Sequence, residues 1–187
     1  MRIEPPWILL AVALAALPAW APAAEVPSFS RPDDATRALR ARDLPFQLWY
    51  DPDEWTVGPR RSSFTLLARA VHEHGSVSGA FVYRAEPRSR EQVRRRAVEE
   101  LASAFASHEV RAFQRRLVNG HEVWFMKAVA TTRGGTEVVV RNQYWLGPEG
   151  VADYGVVANR ESFERYREDM LDLLNGFRLR PGDGQGS

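Results

Sequence analysis

The chain has no cysteine, and Lys127 is the single lysine among its 25 basic residues. The first absence excludes a disulfide staple, a lipidated cysteine and a thiol nucleophile, so a core must hold by burial alone. The second leaves positive charge almost wholly to arginine, for which GC-rich coding bias is the plain explanation. Neither sign of charge dominates, since 24 acidic residues face those 25 basic ones, and nothing in that balance suggests nucleic acid. Long apolar runs are scarce. Trp7 to Leu17 is apolar, but Pro18 interrupts it short of the roughly 20 residues that a membrane-spanning helix needs. Met1-Arg2 before it and Ala21-Pro22-Ala23 after it predict a signal peptide over 1–23, cleaved after Ala23 with Ala24 the next choice. A retained anchor is the alternative, since Glu4 partly cancels Arg2. Cleavage leaves about 164 residues, the size of one domain that can bury its own core, and export implies a periplasmic or secreted protein.

What is present organises around Leu117 to Leu146. Two apolar-rich runs are joined by Arg133-Gly134-Gly135-Thr136 and preceded by Asn119-Gly120, the residues that tight hairpins require because their central positions take positive φ. Trp124-Phe125-Met126 and Val138-Val139-Val140 place apolar side chains on both pleat faces, which predicts a sheet covered on both sides, with helices on each. Ser89-Arg90-Glu91-Gln92 has the form of a capping box, and Val93, Ala97, Val98, Leu101, Ala102 and Phe105 follow at helical spacing, so a helix is expected from about Arg90 to Ala106. Asn159 is an N-cap for a second helix marked by Phe163, Tyr166, Met170, Leu173 and Leu174. Asn175-Gly176 is its stop, with Gly176 suited to the left-handed position. Strands are expected at 43–50, 63–71, 77–83, 110–118 and 151–158, and Phe177-Arg178-Leu179 returns to the sheet. The segment 24–42 reads as a flexible lead-in, either a tether or loosely docked, 43–180 as a single α+β domain with a mainly antiparallel sheet, and 181–187 as a disordered tail.

The order of these elements, with Tyr50-Asp51-Pro52-Asp53-Glu54-Trp55 near the start, Val118-Asn119-Gly120-His121 with Trp124 in the middle, and Phe163 through Leu174-Asn175-Gly176-Phe177 at the end, resembles the PsbP-like superfamily. Its members include extrinsic photosystem II subunits, Ran-binding import factors and bacterial DcrB-like domains. The resemblance covers about Leu44 to Leu179 and implies an antiparallel sheet sandwiched between helices. It implies no catalytic residue, because members mostly bind other proteins or assemblies.

Chemical motifs are few. His72 and His74 on alternate residues could place two imidazoles on one metal ion, although a third ligand would have to come from His108, His121 or a carboxylate, and a solvated hairpin tip is the plainer reading. Gly75-Ser76-Val77-Ser78-Gly79 has Val77 where a nucleophile elbow needs serine. Asp51, Asp53 and Glu54 lack the ligand run of a calcium loop and suit a turn. No dinucleotide or phosphate-loop fingerprint occurs, so no cofactor is expected. Arg88, Arg90, Arg94, Arg95 and Arg96, with Arg111, Arg115 and Arg116 on the next strand, could meet an acidic partner or anionic headgroups; a solvated helix face balanced by Glu91, Glu99 and Glu100 is favoured over peripheral membrane contact. Trp49-Tyr50 and Tyr144-Trp145 must each split across the two sheet faces, and an uncovered ring would mark a protein-binding patch. The expectation is therefore a non-enzymatic exported domain of the periplasm or cell envelope. It would bind an unidentified protein or envelope component, with Arg94, Arg95, Tyr144 and Trp145 as partner-binding residues. The alternative is a small-ligand or metal-binding protein using the His72/His74 hairpin.

Overall fold

The computed structural model describes residues 25–40, 44–59, 66–75 and 77–180; the expected signal peptide, its cleavage site and the tail lie outside them. The glycine joints behave as their chemistry demands. Asn119 and Gly120 take φ of 50° and 81°, and Gly135 takes 85°. They link β7 (Ser107–Val118), β8 (His121–Thr131) and β9 (Glu137–Leu146) into an antiparallel meander that continues into β10 (Val151–Asn159). Beyond β10 the same sheet adds β6 (Val77–Arg84), β5 (Leu66–His72) and β4 (Trp55–Pro59). At the other edge β1 (Ser28–Phe29) runs parallel to β7, closing an eight-stranded sheet.

Each face of this sheet is covered differently. On one lies α1 (Arg90–Ala104), started by the capping box: Ser89 Oγ accepts from the Gln92 amide at 3.3 Å and Gln92 Oε1 from the Ser89 amide at 2.7 Å. Its buried Val93, Ala97 and Leu101 pack on Met126, Ala128, Val138 and Val140. The other face carries α2 (Arg160–Arg165), α3 (Arg167–Asn175) and a three-stranded sheet ordered β11 (Phe177–Leu179), β3 (Phe46–Tyr50), β2 (Arg37–Arg40). Phe46, Leu48, Met170, Leu174 and Phe177 from this layer pack onto Phe81, Phe125 and Tyr154. Sealing side chains of this size stabilises the fold by about 1.5–3 kcal/mol each. The expectation of helices on both faces thus holds, with a small sheet sharing the second.

Three sequence expectations give way here. The 24–42 lead-in is not a free tether over its described part: β1 and β2 pair with β7 and β3, and Ala35 is buried. The second helix divides at Tyr166, whose φ of −115° and ψ of 29° end α2 and let its ring stack on His74 at 4.8 Å. Gly176 is right-handed, with φ of −71°. Glycine is needed there for space, because a Cβ would run into the Trp49 carbonyl oxygen, and the Gly176 carbonyl accepts from the Trp49 amide at 2.9 Å.

Candidate functional site

Between α1 and strands β6, β9 and β10 runs an open groove of about 340 Å³. It exists because the facing positions are small: Ala97 and Ala104 on the helix, and Ser78, Ala80 and Gly155 on the strands. Gly155 is required, since a Cβ there would strike the Asn142 side chain. Leu101, Phe105, Met126, Val140 and Val157 supply apolar walls. One end is polar. Arg84 bridges Glu100 at 2.8 Å and the buried Asp153 at 3.3 Å, Asn142 Nδ2 donates to Asp153 at 3.3 Å, and Arg96 holds Glu100 at 2.9 Å. Burial pushes the Asp153 carboxyl up to about 6, with Arg84 pulling only part of the way back. Apolar walls with a few convergent polar groups are the usual make-up of a ligand site.

The candidate residues from sequence separate. Tyr144 is 3% exposed and is no part of an outer surface patch: it lies on the α1-facing side beside Asn142 and Asp153, in the lining of the groove. Trp145 points to the opposite face, where it is half-buried against Phe46 and Phe177 at ring distances of 6.0 and 6.1 Å. Arg94 and Arg95 are exposed on α1, and Arg95 faces Glu99 at 4.0 Å. The arginine cluster is largely neutralised in place: Arg88 pairs with Glu86, Arg96 with Glu100, Arg111 with Glu109 and Arg115 with Glu122. Arg116 is buried instead, its guanidinium over the Phe125 ring.

His72 and His74 do not form a common pair of ligands. His74 lies past the end of β5 and is exposed, whereas His72 is 1% exposed and turns Nε2 toward Asp169 Oδ2 at 2.9 Å and Glu54 Oε2 at 3.1 Å. Among the described residues these three are the group whose ligand atoms converge within 4.8 Å, and neither His108 nor His121 joins them. Nδ1 lies 3.3 Å from the His74 amide, a contact that suits the tautomer with its proton on Nε2. In that tautomer the imidazole donates to Asp169, with the Glu54 carboxylate beside it at 3.1 Å. Burial, and after it the Asp169 charge, raises the Glu54 pKa, which reports the crowding of acids there.

Sequence reasoning passed over Asp153, Arg84, Asn142 and Asp169, and read Glu54 only as a turn residue. Asp153 alone left a signal, a lone carboxylate inside the apolar run Val151 to Ala158; the others meet only through folding.

The architecture defines the chain's class, an α+β protein of the PsbP-like fold. No family model matches the sequence and no curated protein matches it. Among solved structures it is similar to the cyanobacterial PsbP (CyanoP) of Synechocystis sp. PCC 6803, at 8% identity and a TM-score of 0.60 over 76% of this chain and 91% of that one. LpqN of Mycobacterium tuberculosis, described as involved in cell envelope biogenesis, matches at 13% identity and 0.52 over 78% and 90%. PA94 of Pseudomonas aeruginosa, a protein of unknown function, matches at 10% identity and 0.50 over 78% and 98%. At these identities the likeness is one of fold. No helix among the described residues is long and apolar enough to cross a membrane.

Proposed function

We propose that this chain is an exported, non-enzymatic binding domain of the bacterial periplasm or cell envelope, and that it holds a segment of a protein or an envelope component in the groove beneath α1. The groove carries the reading: its walls are apolar, it opens to solvent along the helix, and its charged groups engage one another, Arg84 with Glu100 and Asp153, which shapes a neutral polar end. The envelope role described for LpqN, a neighbour in fold, supports the location.

Ala104 is exposed at the groove's edge, so tryptophan there fills the groove while leaving the buried helix face intact. A C-terminally tagged protein, carrying a tag without histidines, is cross-linked in cells, and the captured material is quantified for wild type, Ala104→Trp and Arg95→Glu. The expected result is capture that falls at least tenfold in Ala104→Trp and persists in Arg95→Glu. Undiminished capture by Ala104→Trp refutes the groove, and loss confined to Arg95→Glu moves docking to the outer face of α1.

A further inference from the structure

The cations on the sheet face opposite α1 are treated differently from those on the helix. Arg116, Lys127 and Arg141 sit on the neighbouring strands β7, β8 and β9, on the face that also carries Phe125. Lys127 and Arg141 are direct register partners. Arg116 stands opposite Val123, but its guanidinium lies 3.4 Å from the Phe125 ring centre, two residues along β8 in the direction of Lys127. Arg141 lies over the Phe163 ring of α2 at 4.6 Å, and Arg167, which opens α3, is near enough for its charge to act on both Lys127 and Arg141.

Among the described residues, none of these four cations has a carboxylate within 4.0 Å, whereas Arg84, Arg88, Arg95, Arg96, Arg115, Arg160 and Arg165 all do. Arg116 is also 8% exposed, with Nε sealed and no hydrogen bond to it. Like charges directly opposed across strands are destabilising. Burial first, then neighbouring cations, lowers the pKa of Lys127 and of Arg141, for which Arg111 acts as well as Arg167, and brings that of Arg116 to about 10. Among the described residues Arg37, Arg40, Arg94 and Arg178 also have no carboxylate partner, but Arg116, Arg141 and Arg167 gather around the sole lysine of the sequence, close enough for all three to act on it.

We propose that Arg116, Lys127, Arg141 and Arg167 form a binding site for a phosphate group. A carboxylate brings one negative charge, whereas a phosphate brings up to two and at least two free acceptor oxygens, which suit guanidinium forks on either side of an ammonium. The phosphate comes either free in solution or as the headgroup of an anionic lipid, and the test separates the two.

Unfolding of the whole protein is followed by fluorescence in phosphate, in pyrophosphate, and in sodium chloride at matched ionic strength, and flotation is measured with phosphatidylglycerol and phosphatidylcholine vesicles. Expected is a rise in Tm with phosphate or pyrophosphate above that in chloride, or flotation with phosphatidylglycerol alone; the first identifies a free phosphate, the second a headgroup. Lys127→Gln weakens either response at least tenfold, yet raises the stability of the unliganded protein by removing a repelled charge. Arg94→Gln, on the opposite layer, changes neither. Equal Tm in chloride and phosphate with no flotation overturns the proposal, as does a Lys127→Gln protein that binds as wild type does. Arg141→Gln loses its packing on Phe163, so Lys127→Gln is the deciding variant.

Discussion

Replacing Asp153 with asparagine separates the cost of burying a charge from the gain of pairing it. The carboxylate is 6% exposed, and both of its bonds, from Arg84 and Asn142, are long at 3.3 Å. Burial raises its pKa from 3.8 to about 6. The group is an acid with a raised folded pKa, so between those two values the folded chain holds a proton that the unfolded chain has lost, and stability falls as pH rises through that window. That difference corresponds to roughly 3 kcal/mol, all of it lost above about pH 6 and recovered below about pH 4. The amide cannot ionise and so removes this penalty. It also weakens the bond from Arg84, which keeps Glu100 at 2.8 Å, and that takes back about 1 kcal/mol. Urea unfolding should therefore show Asp153→Asn about 2 kcal/mol more stable than wild type at pH 7.5. At pH 4 it should be equal or slightly less stable, and the difference between the two proteins should change sign or vanish at about pH 4.5. A variant destabilised equally at both pH values would refute the reasoning, because it would mean that the ion pair with Arg84 outweighs desolvation.

Two further substitutions test how the second layer is fastened. Asn119→Gly keeps the positive φ of the turn but removes bonds from Nδ2 to the carbonyls of Asn175 and Phe177, at 2.8 and 2.7 Å, and the bond that Oδ1 accepts from the Arg31 amide at 2.7 Å; a loss of about 2–4 kcal/mol in chemical denaturation is expected. Gly176→Ala drives a methyl group into the Trp49 carbonyl and should cost about 3 kcal/mol or more, seen as a fall in Tm, whereas a strain-free left-handed glycine would lose only about 1.

Asn119 shows how far local reading reaches. The Asn-Gly pair announces a hairpin because left-handed backbone is a property of those two residues, and the hairpin is there. That the same side chain also clasps the end of α3, the start of β11 and the Arg31 amide just after β1 depends on segments far away in the chain. The capping box at Ser89 was legible in full for the same reason, since both of its bonds lie within one turn. Tyr144-Trp145 shows the limit. Alternation requires the two rings to face opposite ways, but it cannot say that α1 seals one face and Phe46 and Phe177 half-cover the other. The His72 pair fails similarly: parity on a strand suggested shared ligands, yet the strand ends at His72, and Glu54 and Asp169 arrive from β4's approach and α3.

The sequence by itself determined the meander, the capped helix, the two-faced apolar strands and hence the α+β class, because turn φ, capping bonds and side-chain periodicity act over a few residues. Only the tertiary structure decided which charges are compensated. Asp153 is costly because α1 closes over it, His72 is a donor because two distant acids flank it, and Arg116, Lys127, Arg141 and Arg167 form one unneutralised cluster because three strands and a helix bring them to the same face. Charge compensation depends on distance and burial, and both arise only when segments far apart in the chain pack together.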